Sequence, residues 1–124
     1  MLFRSDGIDE VSPTGYTKVS ECHADSVHTF YVHPSDFGMT KCAPADLVGG
    51  DTQTNAAMVR AVLDGERGPR RDAVLLNAAV GLFIAGRATT IREGLAAAGT
   101  AIDTGAARAC LARLVEVSNQ EAVQ

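Results

Sequence analysis

Residues 69–85 constrain this chain more than any other stretch. After Pro69 and the charged triplet Arg70-Arg71-Asp72, nearly every position up to Ala85 is apolar, with Asn77 as the interruption. A helix that is apolar on almost its whole circumference has no face to give to water, so it must be covered on several sides. The segment is therefore expected to be the central post of a core. Pro69 would sit in its first turn, where a missing N–H is no loss. The run is too short, and too plainly broken by Asn77, to span a bilayer. Once buried, the Asn77 amide must find partners, and a neighbouring loop or helix end is the expected one.

The other elements can be set around that post. Residues 16–22 and 27–33 are rich in β-branched and aromatic side chains, with the polar turn His23-Ala24-Asp25-Ser26 between them, and read as a β-hairpin. In the second arm His28, Phe30 and Val32 share one face, Thr29 and Tyr31 the other. Pro34 ends that arm, and Phe37 is expected to plug the edge of the core. Pro44-Ala45-Asp46-Leu47 suits a single helical turn. Asp51 then caps a helix to about Leu63, with Met58, Val59, Val62 and Leu63 as its apolar face. Thr90 with Glu93 matches a capping box, opening a helix with Ile91, Leu95, Ala98 and Ile102 on one stripe. After Gly105 a last helix is expected to carry Leu111, Leu114 and Val115 inward, and the polar tail from Ser118 to fray. The predicted fold class is α+β: a β-hairpin followed by a helical cluster, one domain's worth in 124 residues.

The chemistry concentrates in Asp6-Gly7-Ile8-Asp9-Glu10-Val11-Ser12-Pro13-Thr14-Gly15. Gly7, Pro13 and Gly15 mark tight backbone, so this is a loop between two ordered elements. Adjacent Asp9 and Glu10 cannot both be buried without a partner. On a loop they can converge on a hard cation, and carboxylate oxygens are the ligands Mg²⁺ prefers. A solvated acidic turn accounts for the same two residues.

The remaining candidates are weaker. His28 and His33 are an odd number of residues apart and face opposite sides of a strand, His23 sits in the turn, and no zinc-like spacing accompanies them. They read as surface histidines. Arg67, Arg70 and Arg71 read as a solvated interhelical loop, because cations at a helix start oppose the macrodipole and Asp72 compensates only in part. No motif assigns a catalytic residue or a cofactor-binding loop; Gly-x-Ser-x-Gly, a Walker loop and Gly-x-Gly-x-x-Gly are all missing.

Composition limits the partners. A hydrophobic fraction of 46% with 21% charged residues is that of a folded globular chain. The formal net charge of −4 counts against nucleic acid, which calls for clustered Lys and Arg. Cys22, Cys42 and Cys110 are far apart, without Cys-x-x-Cys spacing, as plain thiols in a reducing compartment would be. Asp6, Asp9 and Glu10 interrupt the N-terminal region before any apolar signal segment develops. The expected location is cytoplasmic, with neither membrane nor nucleic acid as a partner.

A resemblance sharpens these readings. The run from Asp6 to Gly15 resembles the Gly-Leu-Asp-Glu segment of anthranilate phosphoribosyltransferases, with Ile8 for the usual Leu. The likeness continues through Pro34-Ser35-Asp36-Phe37-Gly38, Gly49-Gly50-Asp51, Arg70-Arg71-Asp72-Ala73-Val74-Leu75-Leu76-Asn77-Ala78-Ala79, Arg92-Glu93-Gly94 and Ala101-Ile102-Asp103-Thr104-Gly105-Ala106-Ala107. The blocks follow the family's order and spacing across roughly the last third of its chain.

The resemblance implies an incomplete part of the α/β C-terminal domain of a nucleoside phosphorylase/phosphoribosyltransferase-like fold, covering residues 6–124. Residues 1–5 do not resemble the family's strand into the acidic loop and are expected to be a non-native leader on a truncated reading frame. The implied activity is transfer of phosphoribosyl from phosphoribosyl pyrophosphate to anthranilate in tryptophan biosynthesis, by an enzyme whose full-length members usually form homodimers. Asp9 and Glu10 match the family's Asp-Glu pair and would hold Mg²⁺ near the pyrophosphate. The family's glycine-rich phosphate loop, its Lys-His-Gly-Asn-type segment and its anthranilate-contacting arginine have no counterpart here, so the chain alone is expected to be inactive. A pyrimidine nucleoside phosphorylase and a non-catalytic, nucleic-acid-binding relative of the same fold are the alternatives.

Overall fold

The polar turn and the two β-rich arms fold as the alternation of side chains predicts. In the computed structural model, which describes residues 2–4 (backbone only) and 7–120, strand β2 (Thr17–His23) pairs antiparallel with β3 (Ser26–Val32). Val19 lies opposite Phe30 and Thr17 opposite Val32. Ala24 takes φ 51° in the two-residue turn, a left-handed conformation that few side chains adopt without strain. Pro34 ends β3 and begins a 3-10 turn, Pro34–Phe37, that turns the chain back over the sheet.

The sheet has one strand more than the hairpin. Residues Leu2–Arg4 form β1, which pairs antiparallel with the other edge of β2, so the strand order is β1-β2-β3. The stretch expected to be a foreign leader thus supplies a strand running toward the acidic loop. Without β1, the outer edge of β2 would present unpaired N–H and C=O groups. Residues 1, 5 and 6 lie outside the described residues, as does the tail from 121 to 124.

Four helices follow. A 3-10 turn, Pro44–Leu47, precedes α1 (Thr52–Leu63), whose N-cap Asp51 accepts a hydrogen bond from the Thr54 N–H at 2.8 Å. The hydrogen bonds from Thr54 hold the Asp51 carboxyl below its ordinary pKa. Helix α2 (Pro69–Ile84) starts at Pro69, α3 spans Ile91–Asp103 and α4 spans Ala106–Ser118. The cap of α3 differs in one detail from a capping box. Thr90 Oγ1 accepts from the Glu93 N–H at 3.1 Å, but Glu93 Oε2 reaches one residue further back, to Thr89 N at 2.8 Å and Thr89 Oγ1 at 2.6 Å. Those bonds from Thr89 lower the Glu93 pKa.

The core lies between the sheet and the α2–α3 pair. Val11, Val32, Leu76 and Val80 form its buried cluster, with Val19, Phe30, Phe37, Met39, Ile91 and Leu95 packed around it. Phe37 sits at its edge, as expected. Gly94 sets the distance between α2 and α3: a Cβ there would fall 2.6 Å from the Ala79 carbonyl oxygen, so no larger residue fits.

Three apolar faces are less covered than their periodicity predicts. Helix α2 buries Leu76, Ala79 and Val80, but Val74 is 44% and Ile84 77% exposed. Its exposed positions, Val74, Ala78, Gly81 and Ile84, lie along one side, so it is a wall of the core rather than a post enclosed all round. On α1 only Val62 is buried, and Val59 is 50% exposed. The correction is largest for α4. Leu114 and Val115 point outward, 62% and 54% exposed, and α4 buries no residue at all. Leu111 is half-buried, and an exposed salt bridge, Arg108 Nη1 to Asp64 Oδ1 at 2.8 Å, joins α4 to the end of α1. Among the described residues no helix is long and apolar enough to cross a membrane.

Candidate functional site

Asp9 and Glu10 occupy an exposed bend between β1 and β2, as the flanking Gly7 and Pro13 predict. Gly7 takes φ 81°, a left-handed conformation in which a side chain would be strained. Immediately after the acidic pair the backbone dives inward. Val11 is 2% exposed in the core, and Ser12, Pro13 and Thr14 are buried behind it.

Asn77 holds that entry point. Its Oδ1 accepts a hydrogen bond from the Val11 N–H at 2.8 Å, and its Nδ2 donates to the Val11 carbonyl at 3.0 Å and to the Ala73 carbonyl at 2.8 Å. Asn77 is half-buried, and its amide bonds a neighbouring loop as expected; the loop is the acidic one. Hydroxyl groups fix the segment further along. Ser12 N–H donates to Thr17 Oγ1 at 3.0 Å, Thr14 N–H to Ser12 Oγ at 3.0 Å, and the Ser12 and Thr14 hydroxyls lie 2.8 Å apart. The Cys42 N–H donates to the Pro13 carbonyl at 3.1 Å, linking the far side to the segment before α1.

A shallow cleft runs beside the acidic pair, lined by Ile8, Glu10, Pro13, Leu47, Arg70 and Ala73. It brings a guanidinium, Arg70, to the same surface as Glu10, which linear spacing could not reveal. The donor set fits a hard divalent cation. Mg²⁺ is commonly held by one or two carboxylates, its remaining positions going to water and substrate phosphate. Among the described residues no group of three or more His, Cys, Asp or Glu could hold a metal ion; Asp9 and Glu10 are two carboxylates adjacent on the bend.

The arginine triplet departs from expectation. Arg67 is exposed, but Arg71 is only 2% exposed and its Nη2 donates to Asp103 Oδ1 at 2.8 Å. The reason is placement. Arg71, in the first turn of α2, faces the last residue of α3, where the C-terminal end of the helix dipole favours a cation. Arg71 Nε and Nη1 have no hydrogen-bond partner among the described residues, so Asp103 carries the charge balance there. Burial pushes the neighbouring Asp72 carboxyl up, with Arg71 and Arg67 pulling it back.

The histidines are dispersed. His28 stacks on Phe30, ring centroids 5.7 Å apart. His33 is half-buried and caps the 3-10 turn after β3, its Nδ1 2.7 Å from Ser35 Oγ and its ring 4.7 Å from that of Tyr16. Its capping role is structural. The Ser35 two residues on was the available signal for it.

Residues 1–108 match the family described as "Glycosyl transferase family, a/b domain". The anthranilate phosphoribosyltransferase of Methylobacterium nodulans is 50% identical over 115 residues, covering 93% of this chain and 34% of that protein. The same enzyme from Paramagnetospirillum magneticum is 47% identical over 116 residues, covering 94% and 34%. Among solved structures, anthranilate phosphoribosyltransferase from Thermus thermophilus superposes with a TM-score of 0.83 at 32% identity, covering 93% of this chain and 34% of that one. The Saccharomyces cerevisiae enzyme in complex with PRPP and Mg superposes at 0.72 with 30% identity, covering 84% and 30%. The chain spans about a third of the length of these relatives. By sequence and by structure alike, it belongs to the glycosyl transferase family, as a stretch of that family's a/b domain.

Proposed function

We propose that this chain is part of an anthranilate phosphoribosyltransferase, in which Asp9 and Glu10 hold Mg²⁺ against the pyrophosphate of phosphoribosyl pyrophosphate. The observation that carries the reading is the acidic pair itself: two adjacent carboxylates on an exposed bend whose following residue is locked into the core. The names of the relatives and the Mg-bound yeast structure support the substrates and the ion.

Breaking the bond between ribose and pyrophosphate builds negative charge on the leaving group. Mg²⁺, when bound, would neutralise that charge as it grows. The contribution of this chain is to keep two carboxylates at a fixed place on the surface, adjacent in sequence and turned outward. They stay outward because Val11 is drawn inward, and Gly7 supplies the reversal before them. The substrate pocket would be completed by segments matching the other two thirds of the relatives, so the 124-residue chain alone is inactive. The assembled enzyme would be a homodimer in the cytosol, and the three free cysteines suit a reducing compartment.

The test is a transplant. Residues 7–120 would replace the matching third of the Methylobacterium nodulans enzyme, and turnover of anthranilate would be followed across a magnesium titration. The chimera should be active, and Asp9→Asn with Glu10→Gln should lower its turnover by about a hundredfold or more with an unchanged melting temperature. Partial relief at high magnesium is expected, because amide oxygens remain weak ligands. A double variant with wild-type turnover at ordinary magnesium would mean that the pair is only a solvated turn.

A further inference from the structure

We propose that Asn77 is the positioning residue of the acidic loop, fixing from its half-buried place on α2 where Asp9 and Glu10 stand at the surface. The proposal rests on the metal-holding reading of that pair and adds the device that sets its geometry.

Asn77 is an expensive choice for the middle of α2. It is half-buried between apolar neighbours in the chain, and an apolar residue of similar size would avoid withdrawing an amide from water. Its three hydrogen bonds explain its presence. Both polar groups of Val11 are taken by the one amide, N–H at 2.8 Å and C=O at 3.0 Å, across 66 residues of sequence. The Val11 N–H belongs to the peptide plane shared with Glu10, so fixing it fixes the direction in which the chain leaves the acidic pair. The third bond, to the Ala73 carbonyl at 2.8 Å, determines the orientation of the amide. A flipped amide would turn its oxygen toward two carbonyl oxygens and its NH₂ toward the Val11 N–H. The amide therefore reads the loop in one register only. Groups one layer behind metal-holding carboxylates commonly act in this way.

The test uses the 124-residue chain with Mn²⁺ as probe ion, read by paramagnetic broadening of backbone amide resonances, together with amide hydrogen exchange. Mn²⁺ should broaden the Asp9 and Glu10 amides of the wild type, and Asp9→Asn with Glu10→Gln should remove that broadening. Asn77→Ala keeps both carboxylates, yet should weaken the localised Mn²⁺ affinity by about 10–100-fold. In the same variant the Val11 amide should lose its exchange protection while the amides of α3 keep theirs. Asn77→Asp retains an acceptor for the Val11 N–H and loses both donors, so it should fall between; it carries the test if Asn77→Ala does not fold. Wild-type Mn²⁺ affinity with wild-type Val11 protection in the variant overturns the proposal. Failure of the metal reading looks different. Broadening absent from the wild type, or indifferent to loss of the carboxylates, sinks that reading. Val11 protection in the Asn77 variant then still decides whether Asn77 sets the loop, and unchanged protection overturns it.

Discussion

The side of the molecule between sheet and α3 and the side that carries α1 and α4 are built from similar apolar stripes and end in opposite states. On the first, Leu76 is 1% and Ala79 0% exposed, and Gly94 lets two helix backbones meet. On the second, Leu114 is 62%, Val115 54% and Val59 50% exposed, and an exposed salt bridge joins the two helices. The lesson concerns what a stripe means. Periodicity states that a helix face is apolar; it does not state that the same chain covers it. Exposed apolar residues grouped along neighbouring helices are a surface suited to further protein contact.

The comparison can be broken most directly at Gly94. Gly94→Val would drive side-chain carbon into the Ala79 carbonyl, which cannot move without unseating α2, and should destabilise by at least about 3 kcal/mol in urea unfolding. A wild-type midpoint would show that the closed side is loosely packed after all. Next comes the bridge that closes the far end of the same side. Asp103→Ala would strand the buried Arg71 guanidinium and should cost about 2–4 kcal/mol, with much of the loss recovered by adding Arg71→Met. No recovery in the double variant would mean that Asp103 acts through something other than Arg71.

Acid should reach both sides more gently. The Asp51 and Glu93 carboxyls are held below their ordinary pKa by hydrogen bonds from Thr54 and from Thr89 respectively, so the folded state binds their protons less readily than the unfolded chain does. Their stabilisation is therefore fully present above an unfolded pKa of about 4 and is lost as pH falls through the lower folded value. First-turn amides of α1 should lose protection in that window more than those of α3, because α1 has fewer buried contacts behind its cap. Equal loss would blur the contrast between the two sides. The smallest effect belongs to α4. Leu114→Ser with Val115→Ser should change stability in urea unfolding by no more than about 0.5 kcal/mol. A large loss of stability would mean that the open side is closed in solution.

Much of this was legible in the residues. Pro34, Asp51, Pro69 and Gly105 act locally through their own backbone or nearest hydrogen bonds, and the boundaries they set agree with the structure. Asn77 was legible as a polar group needing a partner, though not the geometry of its three bonds. What could not be read were properties of pairs. Arg71 looks solvated until Asp103, 32 residues away, is brought against it. Gly94 is unremarkable until α2 lies on it. Arg70 gains meaning only beside Glu10, in a cleft that exists once the loop is docked. The outward turn of Leu114 and Val115 was missed for the converse reason: no partner element arrives among the described residues.

The bond between residues 11 and 77 also orders events in time. A chain made from its N-terminus releases Asp9 and Glu10 long before Asn77, and bringing such distant residues together requires closing a long loop first. Until α2 has formed and docked, the acidic pair lacks the Asn77 tether on Val11. The surface that we assign to metal would therefore be among the last features to mature during folding. In a kinetic refolding experiment the hairpin amides should gain protection before that of Val11.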